Sequence, residues 1–217
     1  MKESVRIDPL KEKLQPYFET LLYEVVIPLM MMSNRDITQF NDDPIEFIRS
    51  IFDFLESIFM PKNTTLELQS TLCKFKSDKK KGAKPDYLIP FLNFAADNMK
   101  QYNEQLAAGA NPDWRIKEAL LHSIGNISET ISFDKDIVSS IEPMLLTHVL
   151  PFLTCDNPYL KHRSCWVYGR FAQITFTDDT HITSACEGIF KCLQDDSLPV
   201  RFAAAQALSE LVSNETA

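Results

Sequence analysis

The side chains best able to do chemistry lie together in one stretch, Asn157 to Ile174, which reads NPYLKHRSCWVYGRFAQI. Cys165 follows His162 by three residues, so the two side chains could meet on one face of a helix. A cysteine activated by a histidine can be a catalytic nucleophile, but such a site also needs donors for an oxyanion, and the sequence indicates none. The other interpretation is that this stretch is one copy of a structural unit that recurs along the chain.

Other catalytic and metal-binding patterns are missing from the sequence. The glycines are isolated, so none forms a phosphate-binding loop, and no two histidines have the spacing of a zinc protease. Paired aspartates at 42–43, 178–179 and 195–196 precede predicted helices, where capping explains them better than calcium binding does. We therefore predict no catalytic residue, no cofactor and no metal, and expect that the chain is not an enzyme.

The composition narrows the class of protein further. Of the 217 residues 45% are apolar, enough for a substantial core, while only 5 glycines argue against a fold rich in β-hairpins. The formal net charge of −8 disfavours direct binding to nucleic acid and suits basic partners. The longest apolar run, Val25 to Met32, is too short to cross a membrane. The 5 cysteines lack CxxC spacing and are expected to be buried thiols in a reducing compartment.

Apolar residues recur at helical spacing along most of the chain, and no segment shows the sustained alternation of a strand. Asp43-Pro44 has the capping aspartate and the first-turn proline typical of a helix start. Predicted helices cover 14–32 (with Pro28 as a kink or stop), a segment from Pro44, and residues 65–74, 86–106, 114–131, 138–154, 158–175, 180–194 and 198–213. The fold is predicted to be all-α.

Three of the later helices repeat one pattern. They read KEALLHSIGNI from Lys117, RSCWVYGRFAQ from Arg163 and RFAAAQALSEL from Arg201. Each begins with a cation, has small residues two and six places on, and follows a turn that holds proline with an acid or amide. The leading cations are 46 and 38 residues apart, a period typical of HEAT repeats, whose helix pairs stack into a right-handed α-solenoid.

We predict about four helix pairs, with units over residues 10–60, 64–132, 136–176 and 180–214. The segment Asp42–Asp43-Pro44 to Arg49 is interpreted as a looser, earlier copy of the repeated turn and helix. Because a cation at a helix start opposes the helix dipole, each leading cation should be held by an acid on an adjacent turn.

The repeat assigns Cys165 to the place held by Ala119 and Ala203, which predicts a small buried residue and not a nucleophile. Trp166 takes the place of Leu120 and is expected to pack in the core. The residues expected to be buried are Leu120, Trp166, Phe171 and Leu208.

Five elements in fixed order carry a resemblance to a known family: VVIPLM, DDPIEFIR, RIKEALLHSIGNISETI, MLLTHVLPFLTCDNPYLKHRSCWVYGRFAQITF and CLQDDSLPVRFAAAQALSELVSNE. They resemble the middle of the importin-β superfamily, specifically its importin-seven/eight type of Ran-dependent nuclear transport receptor. The likeness covers residues 14–215 and is strongest from Asp113 onward. The motif DDPIEFIR is shared with the related exporter that recycles importin-α, and the lysine-rich residues 74–84 depart from the family pattern.

The resemblance implies a superhelical receptor that shuttles between cytoplasm and nucleus with basic protein cargo such as ribosomal proteins or histones. Ran-GTP and nucleoporins would be bound by the full-length receptor, with Ran-GTP chiefly at the N-terminal repeats. This chain would be a monomeric internal fragment without the main Ran site and without contact to membrane or nucleic acid. The alternative is a HEAT scaffold or regulatory subunit that holds an enzyme, because a repeat architecture does not fix function.

The second helices of HEAT repeats line the concave face, where acidic residues would bind Lys/Arg-rich cargo. His162 and Tyr168 are expected to face solvent and a partner. The candidate partner-binding residues are Asp42, Asp43, His162, Tyr168, Asp195 and Asp196. Residues 74–84 hold six lysines and one aspartate and are expected to be a solvated connector, or else a segment that folds on the acidic face and competes with cargo.

Overall fold

The computed structural model describes residue 13 and residues 15–52, 61–76, 84–132 and 134–215. Within these ranges all regular structure is helical, so the all-α prediction is confirmed. The first helix, α1, runs through a 3-10 turn (Gln15–Tyr17), an α turn (Phe18–Thr20), a π-helical segment (Leu21–Val26) and a last α turn (Ile27–Met30). The helix continues through Pro28, which lies in the last α turn directly after the π-helical segment, and ends at Met30.

Eleven further helices are named in chain order among the described residues. They are α2 (Asn34–Asp42), α3 (Pro44–Phe52), α4 (Pro61–Cys73), α5 (Leu88–Ala107), α6 (Trp114–Asn126), α7 (Ser128–Ser132), α8 (Lys135–Val138), α9 (Ile141–His148, followed by the 3-10 turn Leu150–Leu153), α10 (Pro158–Arg170), α11 (Asp179–Cys192) and α12 (Leu198–Glu215).

The later helices form antiparallel pairs that stack in two layers. The pairs are α5 with α6, α9 with α10 (through the 3-10 turn Leu150–Leu153 that follows α9), and α11 with α12. The second helices α6, α10 and α12 lie side by side, and the first helices α5, α9 and α11 form the other layer. This is the arrangement of a HEAT solenoid. We call the side of the second-helix layer that faces away from the first helices the inner face.

Small residues at the repeated positions let the second helices approach closely, as the sequence predicts. Ala119, Cys165 and Ala203 are all buried. A β-carbon on Gly169 of α10 would come within 3.2 Å of the Cα of Ala207 in α12. Two helix backbones in such contact leave no room for a larger side chain at this crossing.

Helices α1 and α4 form a further antiparallel pair. The rings of Phe18 and Phe75 meet at 5.0 Å at one end of the pair. At the other end Lys62, at the start of α4, lies 4.0 Å from Asp36, just beyond α1. Helix α4 then lies beside α6, where Gln69 Nε2 donates to the carbonyl of Ser123 at 3.0 Å.

The segment 34–52, which we call the strap, holds α2 and α3 and does not lie in the stack. Ser33 caps α2 through a reciprocal bond with Asp36, and Asp43 caps α3. The interpretation of Asp42 to Arg49 as an earlier copy of the repeat is wrong, because α3 packs across the stack against α12 while α4 lies beside α6. The unit boundaries given above stay a prediction, as does the handedness of the solenoid.

The predicted core is confirmed in part. Leu120 and Phe171 are fully buried, whereas Trp166 and Leu208 are only half-buried. All 5 cysteines are free: three of them are buried, and Cys155 and Cys186 are partly exposed.

Candidate functional site

The pair Cys165 and His162 does not form a reactive centre. The Cys165 thiol lies beside the thiol of Cys192 on α11, while the His162 ring meets Phe40 and Phe47 of the strap at 5.7 Å each. The Cys192 thiol and burial raise the pKa of Cys165 well above its ordinary value. A nucleophilic cysteine needs a lowered pKa, so this environment supports the structural interpretation of Cys165.

The expectation that His162 faces solvent is wrong. Its ring is only 6% exposed because Phe40 and Phe47 cover it. The strap also crosses the inner face through Asn41, whose amide donates to the hydroxyl of Tyr159 at 2.8 Å. Burial, and then the charges of Arg163 and Lys62, lower the pKa of His162 to about 3. A neutral imidazole beneath two phenyl rings serves packing.

Tyr168 is likewise not at the surface. It is fully buried on the opposite side of α10, where its hydroxyl lies 3.0 Å from Nε2 of His181 on α11. His181 Nδ1 is 3.4 Å from Glu142 Oε1 on α9. Burial raises the pKa of Tyr168. The phenol, imidazole and carboxylate therefore connect three helices of neighbouring pairs. Sequence reasoning placed both side chains outside because it could not see that α10 has neighbours on both flanks.

The four candidate aspartates separate into two kinds. Asp42, Asp43 and Asp196 are exposed. Asp195 is mostly buried, forms an ion pair with Lys161 and accepts from the Ser197 amide at 2.9 Å. Its carboxylate is satisfied by Lys161 of α10 and by the turn, so only the other three aspartates present charge to solvent. Partner binding by any of the four stays a prediction.

The expectation that an acid on an adjacent turn holds each leading cation is wrong, and only one of the three cations meets an acid at all. Arg163 donates from Nη2 and Nε to Glu118 Oε1 at 2.7 and 2.8 Å, and that acid comes from the neighbouring helix α6, not from a turn. Arg201 donates to the backbone carbonyls of Asp195 and Asp196 at 2.7 and 2.9 Å. Lys117 contacts no carboxylate among the described residues.

Lys117 has an unusual environment for a cation. It is fully buried, its ammonium donates to Asn103 Oδ1 at 3.1 Å, and it lies 4.8 Å from the centre of the Phe152 ring. Burial lowers the pKa of Lys117 to about 7. His148 Nδ1, 3.5 Å from the ammonium, faces donors from both Lys117 and Asn103, and burial together with Lys117 lowers the pKa of His148 to about 4. The lysine helps hold α5, α6 and α9 together at an electrostatic cost.

On the inner face Trp166 is surrounded by cations. The guanidinium of Arg163 lies 4.7 Å from the indole ring centre, and that of Arg170 lies 5.9 Å away. His122 meets the ring edge-on at 5.1 Å. The indole is thus held in place by α6 and by its own helix, with part of its surface open.

That open part lines a groove of about 220 Å³ between α10 and α12, which we call the Trp166 groove. Its floor is the crossing of Gly169 and Ala207, and its walls carry Glu129, Arg170, Gln173, Gln206 and Glu210. Sequence reasoning did not single out these polar wall residues. The small residues at the repeated positions were the available signal, because a crossing without side chains leaves a depression above it.

Comparison with known proteins gives concordant matches. The HEAT repeat family matches residues 186–214. The chain is 31% identical to the probable importin-7 homolog of Dictyostelium discoideum, over 92% of this chain and 18% of that protein. It is 29% identical to importin-8 of Mus musculus, over 94% of this chain and 19% of that protein. It is also 28% identical to the importin beta-like SAD2 homolog of Arabidopsis thaliana, over 98% and 20%.

The chain belongs to the importin-β superfamily, in its importin-seven/eight type. It spans only about a fifth of the length of these importins, at 18–20%. No solved structure matches it.

In the described part of this importin chain, no helix is long and apolar enough to cross a membrane. The same residues hold no cluster of side chains that could bind a metal ion. Most of the lysine-rich loop, residues 77–83, lies outside the described residues, so its two proposed roles stay predictions. At its end Lys84 forms an exposed ion pair with Asp136.

Proposed function

We propose that this segment is part of a nuclear import receptor and binds basic protein cargo, such as ribosomal proteins or histones, on its inner face. Membership of the importin-seven/eight type is the observation that carries the proposal. The formal net charge of −8 supports it, because an acidic receptor attracts a Lys/Arg-rich partner.

Three exposed aspartates are the first candidates for this attraction. Asp42 and Asp43 lie at the turn of the strap, which crosses the inner face, and Asp196 lies at the turn before α12. A single exposed charge contributes little, but several together steer association and make the affinity fall with salt. Binding of Ran-GTP and nucleoporins, and shuttling between cytoplasm and nucleus, would be properties of the whole receptor.

The test is to titrate a histone or a basic ribosomal protein with the chain and its variants at about 0.05 and 0.3 M salt. The triple variant Asp42→Asn, Asp43→Asn, Asp196→Asn removes three charges and keeps the cap on α3, because asparagine also caps helices. Asp97→Asn, Glu104→Gln, Glu187→Gln makes the same change in charge at exposed positions of the first-helix layer.

We expect the first variant to weaken binding at low salt at least about threefold, and the control to weaken it less. Absence of salt-sensitive binding to the unmodified chain would refute cargo binding by this segment. Equal losses in both variants would show that net charge matters and the named aspartates do not.

A further inference from the structure

We infer that helix α3 of the strap binds an amphipathic helix of the basic cargo. The apolar side of that helix packs on α3, and its Lys or Arg residues meet the acidic turn before α3. This inference rests on the proposed function and adds two things to it, the form of the cargo segment and an apolar surface that recognises that form.

Helix α3 presents an apolar surface to solvent on the inner face. Ile45 is 57% exposed, Ile51 48% and Phe52 59%. Ile48, which lies between them, is partly exposed. Single exposed apolar side chains are common on protein surfaces, but several together on one helix are typical of an interaction surface. We call these four side chains the α3 stripe.

A different side of α3 holds the strap on the stack. The ring of Phe47 meets Phe40 at 5.0 Å and His162 at 5.7 Å. At the end of the helix the ring of Phe52 meets Phe202 of α12 at 5.6 Å. These ring contacts do not involve the isoleucines of the α3 stripe, so the isoleucines remain available to a partner.

The spacing of the α3 stripe suits a partner helix. Ile45, Ile48 and Phe52 are three and four residues apart, so their side chains follow one another along the axis of α3. At 1.5 Å per residue they cover about 10 Å, or two turns. A second helix can pack its own apolar ridge along such a row. A strand cannot pair with α3, because the backbone groups within a helix already bond each other.

The charges next to the α3 stripe favour a basic helix. The strap holds four acids and two arginines, a net charge of −2. Glu46 and Arg49 lie 3.8 Å apart and balance each other. Asp42 and Asp43 directly precede α3, are exposed, and pair with no cation among the described residues. The Oδ1 atom of Asp43 caps α3 at 3.2 Å, which leaves its negative charge without a cation. Lys or Arg at one end of a cargo helix would supply that cation, whereas an acidic helix would be repelled.

An extended basic segment would use only half of this surface. It could reach Asp42 and Asp43, but it would leave the α3 stripe in water. A helix that also buries apolar area gains a contribution that salt does not screen. Its affinity should therefore fall less between low and high salt than the affinity of a purely charged segment.

The experiment uses three peptides of about 18 residues, long enough to form a helix on the chain. The first has lysine and leucine at the spacing of an amphipathic helix. The second has the same composition in an order that forms no apolar stripe. The third keeps the first order with glutamate in place of lysine. Calorimetric titration at about 0.3 M salt gives Kd, and circular dichroism reports the helix that forms on binding.

Each peptide is titrated into the unmodified chain and into two variants. The stripe variant Ile45→Gln, Ile51→Gln replaces two exposed isoleucines by a residue that favours helices equally well. The control Ile89→Gln, Leu146→Gln makes the same kind of change in the first-helix layer, where these side chains are 40% and 45% exposed. Binding of the second peptide, which should be equal in all three proteins, verifies that the variants keep the acidic turn intact.

For the unmodified chain and the control, the amphipathic basic peptide should bind about tenfold more tightly than the peptide of the same composition. In the stripe variant this ratio should fall below about threefold. The acidic peptide should bind at least about tenfold more weakly than the amphipathic basic one. Binding of the amphipathic basic peptide should also be accompanied by a gain of helix.

Three results would overturn the inference while cargo binding stands. They are equal binding of the two basic peptides to the unmodified chain, a preference that persists in the stripe variant, and equal binding of the acidic peptide. A dimer in sedimentation experiments that the stripe variant lacks would also overturn it, because a second copy of the chain would then cover the α3 stripe. If neither the basic peptides nor a histone bind the unmodified chain, the proposed function itself fails.

Discussion

Trp166 lies directly against Gly125. A β-carbon added to Gly125 would come within 2.3 Å of Cζ3 of the indole, closer than real β-carbons approach any neighbour. The ring therefore rests on the backbone of α6, where the helix has no side chain. This contact fixes the spacing of α6 and α10 and explains why Trp166 is half-buried: one part of the ring is pressed on α6 while another part borders the open groove.

The first prediction concerns this contact. Gly125→Ala should lower the free energy of unfolding by about 1–3 kcal/mol, because the methyl group forces the indole and the two helices apart. Urea unfolding followed by circular dichroism measures the change. Gly125 lies inside a helix, where alanine would otherwise stabilise by about 0.5–1 kcal/mol. A stabilised Gly125→Ala variant would show that the ring moves away freely.

A double variant separates the clash from other effects. Trp166→Ala alone should cost about 2–3 kcal/mol, below the range for a fully buried tryptophan because the ring is partly exposed. In that background Gly125→Ala should cost nothing and gain the helix-propensity term. The sign of the Gly125→Ala effect thus reverses. Simple additivity of the two substitutions would contradict the contact.

The second prediction concerns the buried ion pair of Glu118 and Arg163, which joins α6 to α10. Arg163→Met leaves a carboxylate that is 1% exposed without its partner, and should cost about 3–5 kcal/mol. Glu118→Leu combined with Arg163→Met removes both charges and should recover most of that loss. Thermal and urea unfolding of Arg163→Met, of Glu118→Leu and of the double variant provide a double-mutant cycle. A double variant as unstable as the sum of the single ones would show that the two charges act independently.

The helices and the close crossings of the solenoid follow from local sequence. Spacing near 3.6 residues marks the helices, and the small residues at Cys165, Gly169 and Ala207 mark where neighbouring helices touch. The position at which α3 packs does not follow from such patterns. Its apolar residues would suit any core surface, and its contact with α12 is fixed by packing between residues far apart in sequence, such as Phe52 with Phe202.

The polar side chains of the site were hardest to place from sequence. Whether His162 or Tyr168 is exposed depends on which elements pack against α10. The strap covers His162 and α11 covers Tyr168. The partner of a leading cation depends in the same way on the neighbouring pair: Arg163 meets an acid, whereas Lys117 meets rings and an amide. Only the geometry of the stack decides these outcomes.

The third prediction concerns His162 beneath the strap. Its pKa is about 3 in the folded chain and about 6.5 when unfolded, so the unfolded state binds the extra proton between these values. Stability that the neutral ring supports at pH 7 is therefore lost as the pH falls from about 6.5 toward 3. His162→Phe should reduce the loss of unfolding free energy between pH 7 and about pH 4.5.

Urea unfolding at the two pH values measures this difference. Phe47→Leu is the matched control, since Phe47 contacts the same ring and does not titrate. It should lower stability equally at both pH values. A pH dependence in His162→Phe identical to that of the unmodified chain would refute protonation of His162 as a cause of acid instability.

The last prediction concerns Lys117, whose pKa is about 7 in the folded chain against 10.5 in the unfolded chain. Below pH 7 both states carry the proton and the folded state bears the full cost of a buried charge. Between about pH 7 and 10.5 the unfolded state binds more protons, so this cost is relieved as the pH rises.

The substitution Lys117→Met removes the charge and keeps the length of the side chain. It should raise the free energy of unfolding at pH 6 by about 1–4 kcal/mol, with a gain that shrinks toward pH 9.5. Because Asn103 Oδ1 then loses a donor, Lys117→Met is best compared with Asn103→Leu, Lys117→Met, which should be at least as stable. The difference in the free energy of unfolding between the variant and the unmodified chain reports on Lys117 alone, because the thiols and phenols that also titrate at high pH are common to both. A gain that is constant from pH 6 to 9.5 would show that Lys117 stays protonated in the folded chain.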